Sequence, residues 1–295
     1  MPTDLEQSIF RTVAFFSLFD YPLTEFEIWK WLTEPAVAYA FPDVRDCLSA
    51  SHYLREKIVC TDGFFTLRDT AETVALRHER FVDAARKYHR LQRVCGYLAH
   101  LPMIRAVAAC NTLAWNNTKA ESDIDLFVIV KHGRIWITRF LAVLPFKLLG
   151  LRPGQSTRDP ICFSFFAADD RLAMKGLKIG KRDLYFAQWM HSLVPVMDRG
   201  VFRRVALQNG WVNRSFPNSF PVQTARPRTT RPTAHRGDAA HLFESLAKGF
   251  QVRRLPPTIR SMMNNDTRVI IDDGMLKFHE GDRREEFMER LAKLV

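Results

Sequence analysis

The sequence predicts an α+β protein built from two compact units and a helical link. Its 295 residues exceed one average domain and suffice for two hydrophobic cores. Helically spaced apolar residues dominate the first part and precede two short apolar runs, whereas residues 104–130 contain two apolar strands around a polar turn. With 47% hydrophobic and 25% charged residues, the composition is that of an ordinary globular protein and not of a disordered or fibrous one.

The first unit, residues 1–69, is predicted to contain three helices and a closing hairpin. Thr24, followed three residues later by Glu27, forms a capping-box pattern that starts the second helix. A third helix fits residues 43–54, and an Asp-Gly pair separates two short apolar runs within 58–67. In order and spacing these elements resemble a winged helix-turn-helix domain.

Charge is unevenly distributed along the chain. Residues 1–69 hold 6 Lys and Arg against 11 Asp and Glu, whereas the remainder holds 37 against 21. The basic remainder suits a polyanionic substrate such as a nucleotide or a nucleic acid. DNA is a candidate partner of the first unit but is not favoured, because cation–phosphate contacts supply most of the nonspecific affinity for DNA.

Further segments complete the organisation. Residues 70–101 are predicted to form a helical connector whose basic side chains form a solvated face or, less favoured, a nucleic-acid patch. A second unit over 102–220 precedes a flexible basic linker at 221–240 and a C-terminal helical segment at 241–295. Within that segment, residues 276–284 concentrate charges. Solvated charges at a capped helix are favoured there over a segment that folds over a nucleotide.

The sequence contains no signal for secretion or membrane insertion. Its N-terminus lacks a basic region followed by an apolar run, and the longest apolar stretch, residues 136–151, is interrupted by charges and proline. The five cysteines are odd in number and form no C-x-x-C pair. We therefore expect a cytoplasmic protein with reduced thiols and no membrane partner.

The residues that can carry chemistry concentrate in one segment, which consists of a strand, a turn and a second strand. The small polar pair Asn111 and Thr112 follows the first apolar run, and the second run begins with Asp123 and Asp125. Because side chains alternate along a strand, the two aspartates point to the same side. Adjacent carboxylates repel each other unless a cation lies between them, and such oxygen ligands favour Mg²⁺ or Mn²⁺.

In this stretch a small polar pair is followed by Leu-Ala, a polar loop, Ser-Asp-Ile-Asp-Leu and an apolar strand. This order resembles the motif of the polymerase-beta-like nucleotidyltransferase superfamily. The resemblance places Asn111 and Thr112 at the family's Gly-Ser turn, and Asp123 and Asp125 at its two metal-binding carboxylates. It implies that the Thr112 hydroxyl and neighbouring amides hold triphosphate oxygens. Asn replaces Gly, but it is the non-glycine residue that best tolerates a left-handed turn.

Three more residues complete the predicted site. Ser122 and Lys119 are within reach of phosphates, with a simply solvated side chain as an equal alternative for the lysine. Active members of the superfamily usually carry a third acid on a later strand, and the strand predicted at residues 161–166 contains none. Asp159, just before that strand, is therefore the candidate for the third catalytic acid.

The resemblance implies a metal-dependent nucleotidyltransferase. It would move NMP, with AMP the variant that the resemblance favours, from an NTP to a hydroxyl or amine acceptor on a small molecule, an RNA or a protein. The missing third acid supports a second hypothesis, a non-catalytic DNA-binding regulator or nucleotide sensor with a degenerate core. The order of a winged helix before this core also resembles uncharacterised bacterial nucleotidyltransferase-domain proteins.

Overall fold

The computed structural model describes residues 1–67, 73–219 and 241–295. Within these ranges the chain is α+β, as predicted, with a three-stranded and a six-stranded sheet accompanied by helices. No helix in these ranges is long and apolar enough to cross a membrane. The predicted basic linker at 221–240 lies outside the described residues.

The first unit contains four helices and an antiparallel sheet. Its elements are α1 (Asp4–Ser17), β1 (Leu23–Thr24), α2 (Glu25–Lys30), α3 (Phe41–Ala50), α4 (His52–Lys57), β2 (Ile58–Thr61) and β3 (Phe64–Leu67). Capping boxes at Thr3 and Thr24 start α1 and α2, the second as predicted. The predicted third helix divides at Ser51, whose hydroxyl caps α4. The predicted hairpin forms, with Asp62 and Gly63 at positive φ in its turn.

A long helix, α5 (Thr73–Leu98), links the two units. Two of its basic side chains are buried: Arg80 is 6% exposed and pairs with Asp20, and Lys87 is 0% exposed and pairs with Asp159. The favoured prediction of a solvated basic face is therefore wrong for these residues. The fold accommodates the buried charges because each has an acidic partner and also donates to backbone carbonyl oxygens.

The second unit is built on the six-stranded sheet. Its strands are β4 (Ile104–Ala109), β5 (Ile124–Val130), β6 (Ile161–Ala168), β7 (Val194–Asp198), β8 (Val269–Ile271) and β9 (Met275–Phe278). Their spatial order is β7-β4-β5-β6-β9-β8, and β5 and β6 are the one parallel pair among these strands. The end of β4 therefore lies beside the starts of β5 and β6, where the predicted site residues occur.

Seven helices accompany this sheet in the described ranges. They are α6 (Asn111–Ala114), α7 (Ile135–Leu148), α8 (Leu184–Ser192), α9 (Phe202–Gln208), α10 (His241–Arg253), α11 (Pro257–Met262) and α12 (Arg284–Leu294). The C-terminal segment supplies the last three, but it also supplies β8 and β9, and β9 pairs with β6 inside the sheet. The prediction of a helical C-terminal segment is therefore only partly right, because short apolar runs carry little periodic signal.

Two hydrophobic clusters cover opposite faces of the six-stranded sheet. Alternation along β5 sends Phe127 and Ile129 into one cluster, and Leu126 and Val128 into the other. The first cluster continues into the first unit, where it includes Phe16 of α1. The first unit is thus packed onto the sheet face that bears Phe127, and a cavity remains between them.

Candidate functional site

A cavity of about 670 Å³ lies between the first unit, the sheet and the C-terminal segment. Cavities of this size commonly hold a cofactor or a small molecule. The antiparallel pairing of β4 with β5 brings the turn after β4 next to the start of β5. Five residues selected from the sequence consequently line the cavity together: Asn111, Thr112, Lys119, Ser122 and Asp125.

Asp123 and Asp125 converge, as the strand alternation predicts. With Cys162 they form a group in which one ligand atom of each residue lies within 4.8 Å of the others. Cys162 joins the group because β6 runs parallel to β5 and sets Cys162 opposite Asp125. The sequence interpretation missed this cysteine, since the register of two distant strands is not visible in a single sequence.

Two of the three side chains in this group, the carboxylates, suit a hard divalent cation. The two carboxylates offer the oxygen ligands that such cations bind. The Cys162 thiol does not fit, because burial raises its pKa to about 12 and sulfur favours softer metals. The described residues thus provide an acidic site with two oxygen donors, and ligand or water oxygens would complete the coordination.

Asp125 lies in surroundings that disfavour its charge. Burial raises the pKa of Asp125 to about 6, and the Asp123 carboxylate acts in the same direction. Burial also raises the pKa of Asp123. A cation between the two groups would remove the repulsion and favour both ionised carboxylates.

Asn111 adopts the left-handed conformation expected of it, with a φ of 54°. Its side-chain oxygen accepts a hydrogen bond from Trp189 Nε1 at 2.9 Å, and its amide also hydrogen-bonds Asp125. The side chain therefore lies against the acidic pair, in space that the glycine of the resembled motif would leave open.

The polar loop before β5 is attached to α5. Lys87 Nζ donates to the carbonyl oxygens of Lys119 at 2.7 Å and Ser122 at 2.6 Å. Thr118 Oγ1 donates to the Asp83 carboxylate at 2.7 Å. Within the loop, the Lys119 amide donates to Ser122 Oγ at 3.0 Å, while the Lys119 side chain is exposed at the cavity. The loop is thus held in place, with the Lys119 ammonium at its tip.

Asp159 does not join the acidic pair. Its carboxylate is 1% exposed and binds Lys87 Nζ at 3.1 Å and Arg86 Nη2 at 2.8 Å. Burial alone would raise the pKa of Asp159, but hydrogen bonds from Arg86 and Lys87 lower it to about 2. A carboxylate with so low a pKa is a poor proton acceptor at neutral pH. We therefore assign Asp159 to a structural role, in ion pairs with Arg86 and Lys87 of α5, in place of the catalytic role expected from the sequence.

The opposite wall of the cavity comes from α8 and from residues 277–290, which run from the end of β9 into α12. Lys277, Arg284, Tyr185 and Phe287 all line it. Lys277 is 4% exposed and Arg284 is 5% exposed, so the favoured interpretation of this segment as solvated charges is wrong for both. The sequence had singled out the segment but not the aromatic residues of α8, which show only the apolar pattern of a buried helix.

No protein-family model matches the chain, and neither the curated proteins nor the solved structures give a significant match. The described residues define an α+β protein with an acidic pair beside a basic and aromatic cavity.

Proposed function

We propose that this chain is a metal-dependent nucleotidyltransferase that moves NMP, with AMP favoured, from an NTP to a hydroxyl or amine acceptor. One observation carries the proposal: Asp123 and Asp125 converge, and Asp125 lines a cavity that the Asn111 and Thr112 turn also lines. A single strand-turn-strand segment supplies all four residues, in the order found in the polymerase-beta-like nucleotidyltransferases that it resembles. By the same resemblance, the first unit is interpreted as a winged helix.

The acidic pair is the proposed metal site. Asp123 and Asp125 would hold Mg²⁺ or Mn²⁺, which would neutralise the charge that develops on the triphosphate. The two carboxylates repel each other unless a cation lies between them. We therefore expect cation and nucleotide to bind together and to stabilise the fold by more than either does alone.

The cavity suits a polyanion. Six basic residues and four acidic residues line it, so the net charge of the lining is positive before a cation binds. These residues are Arg80, Lys119, Lys277, Arg283, Arg284 and Arg290, against Asp20, Asp125, Glu280 and Asp282. We assign the Thr112 hydroxyl, the Lys119 ammonium and the Ser122 hydroxyl to triphosphate oxygens. Ser122 can take this part because its oxygen accepts from the Lys119 amide while its proton remains to be donated.

Aromatic side chains offer a place for the nucleobase. Phe186 and Trp189 stack with centroids 5.7 Å apart, Tyr185 and Phe287 stack at 5.4 Å, and all four line the cavity. Stacking on an aromatic face contributes about 1–3 kcal/mol per base and tolerates every base. This wall therefore supports a nucleotide ligand without selecting among the bases.

A nucleotide sensor is the second candidate, and one residue favours it. Cys162 lies on β6 opposite Asp125, and among the described residues no third acid joins the pair. A sensor would bind metal and nucleotide without releasing pyrophosphate, and it could act through the first unit on DNA.

Incubation of the purified protein with each common NTP, labelled on the α-phosphate, tests the proposal. With Mg²⁺, and with or without RNA, the wild type should form a labelled product. Asp125→Asn should reduce product by orders of magnitude, because it keeps the shape and removes one charge. Asp170→Asn, an exposed acid outside the cavity, is the matched control. Mg²⁺-dependent binding without any product would favour the sensor, and failure to bind any NTP would contradict both candidates.

A further inference from the structure

His279 lies on the wall of the cavity that Asp125 also lines. β9 ends one residue before His279, and its pairing with β6 sets Lys277 opposite Phe165. Because β6 also pairs with β5, which bears Asp125, His279 extends from a strand two places away from that of Asp125. At the usual strand spacing this is about 10 Å between backbones. Such a gap leaves room for one phosphoryl group and an attacking oxygen, since reacting atoms sit about 3–3.5 Å apart.

The imidazole of His279 faces the cavity. It lines the cavity and packs edge-on against Phe165, with ring centroids 6.2 Å apart. Its backbone amide donates to the carbonyl oxygen of Arg268 at 3.1 Å, but in the described part of the chain no hydrogen bond engages its ring nitrogens. The ring nitrogens are thus available to a bound ligand.

The surroundings of His279 keep its ring neutral. Burial and the nearby cations Lys277 and Arg284 lower the pKa of His279 to about 4, against the opposing effect of Asp282. A neutral imidazole can accept a proton at pH 7. Negative charge from a bound triphosphate would raise this pKa, so that the ring becomes a stronger base when the substrate is present.

We propose that His279 accepts the proton of the attacking hydroxyl, the role for which the acidic pair has no third acid in the described chain. This inference rests on the proposed nucleotidyltransferase function. The acceptor oxygen forms a bond to the α-phosphorus while its proton moves to a ring nitrogen of His279. The bond from the α-phosphorus to the bridging oxygen breaks, and pyrophosphate leaves with that electron pair.

Pyrophosphate release from MgATP, with water or added RNA as the acceptor, measures this step. His279→Gln should lower kcat about 100-fold or more, because a positioned proton acceptor contributes at least that much. Stabilisation of the fold by MgATP should stay at the wild-type level, and imidazole added to the solution should restore part of the lost rate. His132→Gln, which changes an exposed histidine outside the cavity, should leave the rate unchanged.

Each outcome decides the inference. Full activity of His279→Gln would overturn the proton-accepting role and leave the transfer reaction standing. Lost MgATP stabilisation without imidazole rescue would show a binding role and would also overturn it. If His279→Gln does not fold, His279→Asn is measured in its place. No pyrophosphate release by the wild type would overturn both proposals, and retained Mg²⁺-dependent nucleotide binding would then identify the sensor.

Discussion

Asp125 is held in surroundings that oppose its charge. Its carboxylate is partly buried next to Asp123, and burial raises its pKa to about 6. A fold gains no stability from such an arrangement at neutral pH, because the ionised group is disfavoured relative to the unfolded chain. Groups of this kind are typical of functional sites, which supports the assignment of the pair to a bound cation.

Asp159 is the opposite case, because its charge stabilises the fold. Asp159→Asn should lower the free energy of unfolding at pH 7 by about 3–5 kcal/mol, since the 0% exposed Lys87 loses its nearest acidic partner. The pKa of Asp159 is lowered to about 2 in the folded chain. Its stabilisation is therefore fully present above pH 4 and is lost as the pH falls towards 2. Urea unfolding at pH 7 and pH 3 measures the difference.

The control for this prediction is Asp170→Asn. Asp170 is about half exposed and pairs with His132, so its replacement should change stability by no more than about 0.5 kcal/mol. Equal stability of wild type and Asp159→Asn at pH 7 would contradict the structural assignment and return Asp159 to the list of catalytic candidates.

The convergence of Asp123 and Asp125 could be predicted because alternation along a strand is a local rule. The positions of Asp159 and Cys162 could not, since they depend on which strands pair and in what register. Lys87 was interpreted as solvated for a similar reason: a lysine on a long helix is usually exposed, and its buried partners come from residues far along the chain.

Helix α5 connects the polar loop before β5 to Asp159. Lys87 Nζ donates to backbone carbonyls of the loop and pairs with Asp159 on the segment before β6. Lys87→Met keeps most of the side chain's length and its apolar stem but removes these bonds. We expect the Kd for MgATP to rise about tenfold, because the loop that bears Lys119 and Ser122 is no longer fixed. Isothermal titration calorimetry measures the change.

Arg93→Met serves as the control, since Arg93 lies exposed on the same helix. It should leave the Kd for MgATP at the wild-type value. An unchanged Kd in Lys87→Met would show that attachment of the loop to α5 does not prepare the binding site.

Element boundaries could be predicted where the signal is local. The capping box at Thr24 and the Asp62-Gly63 turn each involve residues close in sequence, and both formed as predicted. β7 was missed because it is short and contains Pro195, which weakens a strand pattern. β9 was missed because four residues carry little periodicity, and its place beside β6 follows from long-range packing.

The first unit packs on the core of the second unit and does not stand apart as a basic DNA-binding module. Its net negative charge opposes the phosphate backbone, and basic residues such as Arg45 already pair with acids such as Asp46. We therefore expect weak binding of duplex DNA by the full chain at physiological salt. Tight, sequence-specific binding in a gel-shift assay would instead favour the regulator over the transferase.

Asp123 and Asp125 are proposed to bind a metal–nucleotide complex in the cavity. The direct measurement is calorimetric titration of the wild type and of Asp125→Asn with an NTP analogue that cannot be cleaved at the α-phosphate, with and without Mg²⁺. We predict binding by the wild type that depends on Mg²⁺ and is at least about tenfold weaker in the variant, because one of the two charges that hold the cation is gone. Equal affinity in both proteins, or affinity that is independent of Mg²⁺, would contradict the assignment of Asp123 and Asp125 to the metal–nucleotide site.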